Sequence, residues 1–195
     1  MRPVTLKEIL PWPQYEIMRP RLRPLFIAEK ERRRLAVGDH LTLLFENGQT
    51  VWYQVEEMIR AERIEAEDAI RHEIDTYNEL LPRPGELTAT MMVEYADAQE
   101  RDAALRALVG LERHLWIVIG GRREPARFDS RQFATDRISA VQFVRFPLGG
   151  LDAAEFRAHA AAGKIAIEAD HPRLNARALI QGPIALALGR DFSDD

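Results

Sequence analysis

Five polar residues stand where their neighbours make chemistry possible. Glu62 closes a stretch in which Val51, Val55, Met58 and Ile59 recur at the spacing of one helix face. On a wheel turning about 100° per residue, Glu62 lands inside that apolar stripe. A carboxylate on a buried face must be paired, protonated or bound to a metal. Arg145 is the complementary case. Alternation along strand 138–147 sets it on one face with Val141 and Phe143. It either pairs a carboxylate such as Glu62 or anchors a substrate carboxylate or phosphate.

His114 shares a strand face with Trp116 and Val118, and Glu112 precedes it by two residues. Glu-x-His on a strand offers two ligands on one side, whereas a metal needs three or four. Asp170-His171-Pro172 follows a strand end directly. Pro172 holds His171 extended, so its ring is aimed. The same triplet is also good turn chemistry. The candidate polar cluster is therefore Glu62, His114, Arg145, Asp170 and His171. Asp68, His72 and Asp75 share the polar face of a helix and read as a solvated face with helix-stabilising pairs.

Several chemistries are excluded. The 195 residues contain no cysteine, which removes disulfides, thiolate zinc sites, a cysteine nucleophile and thiolate-held iron–sulfur clusters. Any metal would need His, Asp and Glu ligands. No GxGxxG, P-loop, GxSxG or HExxH motif occurs, so no cofactor is expected. Net charge is −4, which gives no overall pull toward nucleic acid. Lys30–Arg34 is a basic cluster without interleaved aromatics, and nucleic-acid binding is not expected. The apolar runs are too short for a bilayer and no leader pattern opens the chain, so a cytoplasmic protein is expected.

Charge is unevenly spread. Residues 1–37 hold nine Lys or Arg against four Glu, a net +5, and the remainder is −9. That asymmetry suggests docking of a basic segment on an acidic body, within one chain or between subunits of a homodimer.

The elements that must position these residues read as follows. Five prolines within the first 24 residues predict an extended arm with one helical turn near residues 14–18, then a helix over 24–34. A strand at 41–45 precedes helices over about 51–62 and 65–81. The second half repeats a pattern: strand 88–95, helix 97–109, strand 114–119 and a short strand near 126–128; then strand 138–146, helix 152–162, strand 164–169 and a short strand near 176–180. Asp97 and Asp152 open the two helices as N-caps. A short helix after Pro183 closes the chain, and a polar Asp191–Asp195 tail frays. The expected class is α+β. An N-terminal arm and helices precede two β-α-β-β units that form a mixed or antiparallel sheet with helices on one face. The chain is expected to be one domain over 1–195, divided into 1–37, 38–86 and the duplicated body 87–195.

The stretches FENGQTVWYQVEEMIRAERI (45–64), TYNELLP (76–82), LTATMMVEY (87–95), LVGLERHLWIVIG (108–120), SAVQFVRF (139–146) and DHP (170–172) together resemble a bacterial family known only as a domain of unknown function. The resemblance spans nearly the whole chain. It implies an association with a rubrerythrin-like protein and a heterodisulfide-reductase-like iron–sulfur protein, whose genes often neighbour those of the family. The family carries no established catalytic residues. The resemblance implies an accessory to a redox or oxidative-stress system, with one of those proteins as partner. Two alternatives stay open from the residues: a metal-binding protein or enzyme using His and carboxylates, and an anion or small-molecule binder using Arg145 and the N-terminal arginines.

Overall fold

Strand alternation in the second half generates two inward apolar faces, and these meet as one core. The computed structural model describes residues 1–129 and 136–193. A five-stranded sheet has the order β1 (Arg34–Val37), β2 (Leu41–Phe45), β3 (Glu86–Val93), β7 (Val141–Pro147), β6 (Arg127–Phe128). A four-stranded sheet has the order β5 (Arg122–Pro125), β4 (Leu115–Ile119), β8 (Ile165–His171), β9 (Leu174–Leu179). Every pairing among them is antiparallel. Leu43, Phe45, Met91 and Phe146 of the first sheet pack with Ile117, Ile165 and Ile167 of the second. The chain changes sheets at buried Ala126, whose N–H donates to Leu115 O at 2.9 Å. Such corners turn a sandwich edge into a continuous wall.

The α+β class holds, and two strand–helix–strand–strand units recur, but the first ends in β5 rather than in the expected strand near 126–128, which is β6 of the other sheet. Each begins with a strand in the five-stranded sheet, passes through a helix, and ends as a hairpin in the four-stranded sheet. The helices are α4 (Ala98–Ala107) and α5 (Ala153–Ala161). Strands β3 and β7 pair with one another, as do β4 and β8, so the smaller sheet reads hairpin against hairpin. Asp97 accepts from the N–H groups of Gln99 and Glu100, and Asp152 from those of Ala154 and Glu155, which satisfies otherwise orphaned donors. The strands divide between two sheets rather than forming one, because inward residues of both hairpins and both leading strands are apolar and need a facing layer. Leu105 of α4, Phe156 of α5 and Leu188 of α6 (Gly182–Arg190) join the same core.

The N-terminal half departs from expectation. From Trp12 on, the predicted extended arm is one helix, α1 (Trp12–Arg32), with Pro20 and Pro24 inside it. Pro13 falls in the first turn, where a missing N–H is harmless. Pro20 and Pro24 are exposed, as are Glu16 and Pro20 four residues upstream. The carbonyls that lose their intrahelical partner therefore stay within reach of water. Arg34, predicted as helical, starts β1 instead. Strand β5 was not legible beside Gly120-Gly121; its residues Arg122–Pro125 are polar and lie at a sheet edge. Asn47 caps α2 (Gly48–Glu62) by accepting from Thr50 N–H. Helix α3 (Glu67–Asn78) follows. Phe26 of α1 stacks on Trp52 and Tyr53 of α2, with centroids 5.3 and 4.7 Å away. The final residues of the tail, Asp194 and Asp195, lie outside the described residues. Among the described residues no helix is long and apolar enough to cross a membrane.

Candidate functional site

The outer face of the five-stranded sheet holds a pocket built from a cross-strand row. Register places Thr88, Arg145 and Arg127 opposite one another on β3, β7 and β6. They line a cavity of about 410 Å³ with Arg83, Phe128, Phe143 and Glu46. Its volume falls within the roughly 300–1,000 Å³ of small-molecule sites. Arg145 is anchored: it pairs with Glu86 and donates to the carbonyls of Glu79 and Leu81. Glu46 is buried and accepts from the hydroxyls of Thr50 and Thr90. Arg83 and Arg127 are exposed, and among the described residues their guanidiniums have no ion-pair partner. Like charges directly opposite on a sheet repel, so Arg127 beside Arg145 favours an anionic group between them, although Glu46, Glu79 and Asp129 also line the pocket and make its charge mixed.

A second polar cluster covers the outer face of the four-stranded sheet. Alternation on β8 turns Glu168 and Asp170 outward, and pairing sets Glu168 between Trp116 and Arg177. Asp170 accepts from His114 Nδ1 at 3.1 Å, from Trp116 Nε1 at 3.0 Å and from Arg123 at 2.8 Å. Those donors, Arg123 first, hold its carboxyl down at about 2. Arg123 also lies 4.5 Å over the Trp116 ring, a cation–π placement. His171 is buried, its ring 5.3 Å from that of His114. Its Nε2 donates to Val109 O at 3.2 Å while Nδ1 accepts from Arg173 N–H at 3.2 Å. Both ring nitrogens thus tie the β8–β9 turn to the end of α4.

Of the five expected residues, the structure brings together His114, Asp170 and His171. Arg145 lies on the other sheet, in the arginine pocket. Glu62 is exposed in the last turn of α2. Glu112 sits in a 3-10 turn rather than on the strand, and pairs with Arg113. Asp68, His72 and Asp75 are exposed. Among the described residues no three His, Asp or Glu side chains gather as a metal site.

The sequence profile described as a protein of unknown function, DUF3501, matches residues 3–192. The chain belongs to this family. It is also similar to a crystal structure of a novel protein of unknown function from Burkholderia pseudomallei, with 34% identity and a TM-score of 0.86. That likeness covers 98% of this chain and 100% of the other. No curated protein matches.

For this member of the family, sequence reasoning missed the carboxylate that is actually buried. Glu56 of α2 is fully buried; its Oε1 accepts from Leu10 N–H at 2.8 Å and its Oε2 has no hydrogen-bond partner among the described residues. Burial pushes its carboxyl up to about 7, with the Leu10 hydrogen bond opposing. Glu56 lies outside the apolar stripe on a wheel, and only the N-terminal segment laid across α2 buries it. Glu57 was missed too. It accepts from Tyr15 at 2.8 Å and from Arg19 at 2.7 and 3.0 Å. The charge asymmetry was the signal for such pairs: Arg19, Arg33 and Arg34 reach Glu57, Asp191 and Glu94 of the same chain.

Proposed function

We propose that this protein binds a small organic anion, carrying phosphate or carboxylate, in the arginine pocket on the outer face of the five-stranded sheet. The observation that carries the reading is Arg127 opposite Arg145. Arg145 is neutralised by Glu86, whereas the guanidiniums of Arg127 and Arg83, without an ion-pair partner among the described residues, offer donor forks that match an oxyanion. Phe128 and Phe143 supply apolar wall for the body of the ligand. Of the N-terminal arginines, Arg19 and Arg33 are held in ion pairs within the chain.

The test is a thermal-shift and calorimetric screen of the full chain with inorganic phosphate, nucleotides and di- and tricarboxylates. A true ligand at 100 times its dissociation constant stabilises by about 2.7 kcal/mol. Arg127→Ala weakens that ligand at least tenfold without lowering the melting temperature. A screen in which no anion stabilises the protein overturns the reading.

A redox-accessory role stands beside it as a second reading. It is supported by the family resemblance and by the absence of cysteine, which keeps thiolate clusters off this chain and assigns them to a partner. Anaerobic co-purification with a rubrerythrin-like protein or an iron–sulfur oxidoreductase tests it. No complex at micromolar concentration removes it.

A further inference from the structure

We infer that a second ligand site, separate from the arginine pocket, lies where the β1–β2 turn, the β8–β9 turn and α4 meet, and that it takes a planar aromatic acid. The cavity there has a volume of about 520 Å³, within the roughly 300–1,000 Å³ typical of small-molecule sites.

Its frame is rigid. Gly38 adopts φ +73°, and a Cβ on it would meet the Ala176 Cβ at 3.2 Å, so the two turns close on one another. Only glycine takes that backbone at low cost. His40 stacks on Tyr95 at 3.8 Å between centroids with planes 14° apart. Its Nδ1–H donates to Glu94 O at 3.0 Å, so the neutral ring carries an acceptor at Nε2.

The lining divides by chemistry. Ala104 and Ala107 of α4, with Leu41 and Val93, give a shallow apolar floor. Side chains that short leave room for a flat ring where larger ones would fill the space. Arg173 is the single Lys or Arg in the lining, and its guanidinium has no partner among the described residues. That cation selects an acidic substituent. Asp39 and Asn175, also without side-chain partners among the described residues, can accept from an N–H or O–H on the ring. Few convergent polar groups around an apolar floor is the usual make-up of a ligand pocket.

The experiment is isothermal titration calorimetry of the full chain with indole-3-acetate and 4-hydroxybenzoate. Cyclohexanecarboxylate and benzamide serve as controls without the ring or the charge. At least one aromatic acid is expected to bind with a dissociation constant below 1 mM, at least tenfold tighter than both controls. Arg173→Ala weakens it at least tenfold. Ala107→Leu, a change to a good helix former at an exposed position, abolishes it with no fall in melting temperature. Arg127→Ala leaves it unchanged, which separates this site from the arginine pocket. No binding by either acid overturns the inference, and so does binding that survives Ala107→Leu.

Discussion

Arg33, where α1 ends, grips Asp191 near the end of the described chain with two guanidinium nitrogens, at 2.8 and 2.7 Å. Its Nε reaches Glu29 at 2.6 Å, and the arginine is only 3% exposed. Removing one member of a buried ion pair leaves the others uncompensated, at a cost of about 3–5 kcal/mol. Arg33→Met is therefore expected to lower unfolding free energy by about that amount in urea titration. Adding Asp191→Leu restores part of the loss. A single variant within about 1 kcal/mol of wild type would show that this triad does not anchor the N-terminal layer.

Glu56 makes stability depend on pH. Its folded carboxyl is raised to about 7 by burial, while in the unfolded chain it titrates near the ordinary value. Below the unfolded value both states hold the proton and nothing is lost. As pH rises toward 7, the unfolded state releases its proton first, and the folded state loses up to about 3 kcal/mol relative to it. Glu56→Gln stays neutral throughout. The variant should match wild type near pH 4 and exceed it at pH 8, read as urea midpoints at both. Equal midpoints at pH 8 would count against the buried carboxyl.

Asp170 has the opposite sign. Its carboxyl is held down at about 2 by Arg123, Trp116 and His114. The stability it adds is present above the ordinary carboxylate range and disappears as pH falls from there through 2. Trp116 reports this directly, because its Nε1–H donates to Asp170. Trp116-dependent fluorescence, isolated by difference from Trp116→Phe, should hold steady from neutral pH to about 3 and change only as pH falls further toward 2. Asp170→Asn should remove that transition. A midpoint near 4 in the native chain would contradict the network.

The prolines of α1 are replaceable. Pro20 and Pro24 are exposed and each withholds a hydrogen bond from the turn before it. A proline inside a helix is about 3 kcal/mol worse than alanine, partly offset by about 1 kcal/mol because proline also restricts the unfolded chain. Pro24→Ala is expected to raise the melting temperature, measured by calorimetry. A fall would mean that α1 needs proline to lie against α2.

The duplicated half was readable because its pattern is local. Apolar alternation marks β3, β4, β7 and β8, and Asp97 and Asp152 sit at the helix starts they cap. That Arg145 shares a face with Val141 and Phe143 also followed from a period of two, but that this face is the outer one did not. The N-terminal half was harder. Proline density argues against a helix, but α1 keeps the lost hydrogen bonds of Pro20 and Pro24 at the surface, where water can replace them. Edge strand β5 carries no apolar signal, since its residues face water on most sides.

The candidate residues show the same boundary. Sequence placed His114 and Asp170 at the ends of strands, but register alone set them beside each other, because β4 and β8 pair across 56 residues. Sequence marked α2 as carrying a costly carboxylate and named Glu62. The segment folded across the helix buries Glu56 instead. By itself, then, the sequence determined the α+β class, the strand–helix order of the repeat, the thiolate chemistry that is absent, and an excess of cations seeking acidic partners. Tertiary structure alone decided which carboxylates those cations meet and which one goes without. It also decided where arginines of distant strands share a pocket. Burial and pairing are properties of surfaces brought together, and periodicity along one element does not contain them.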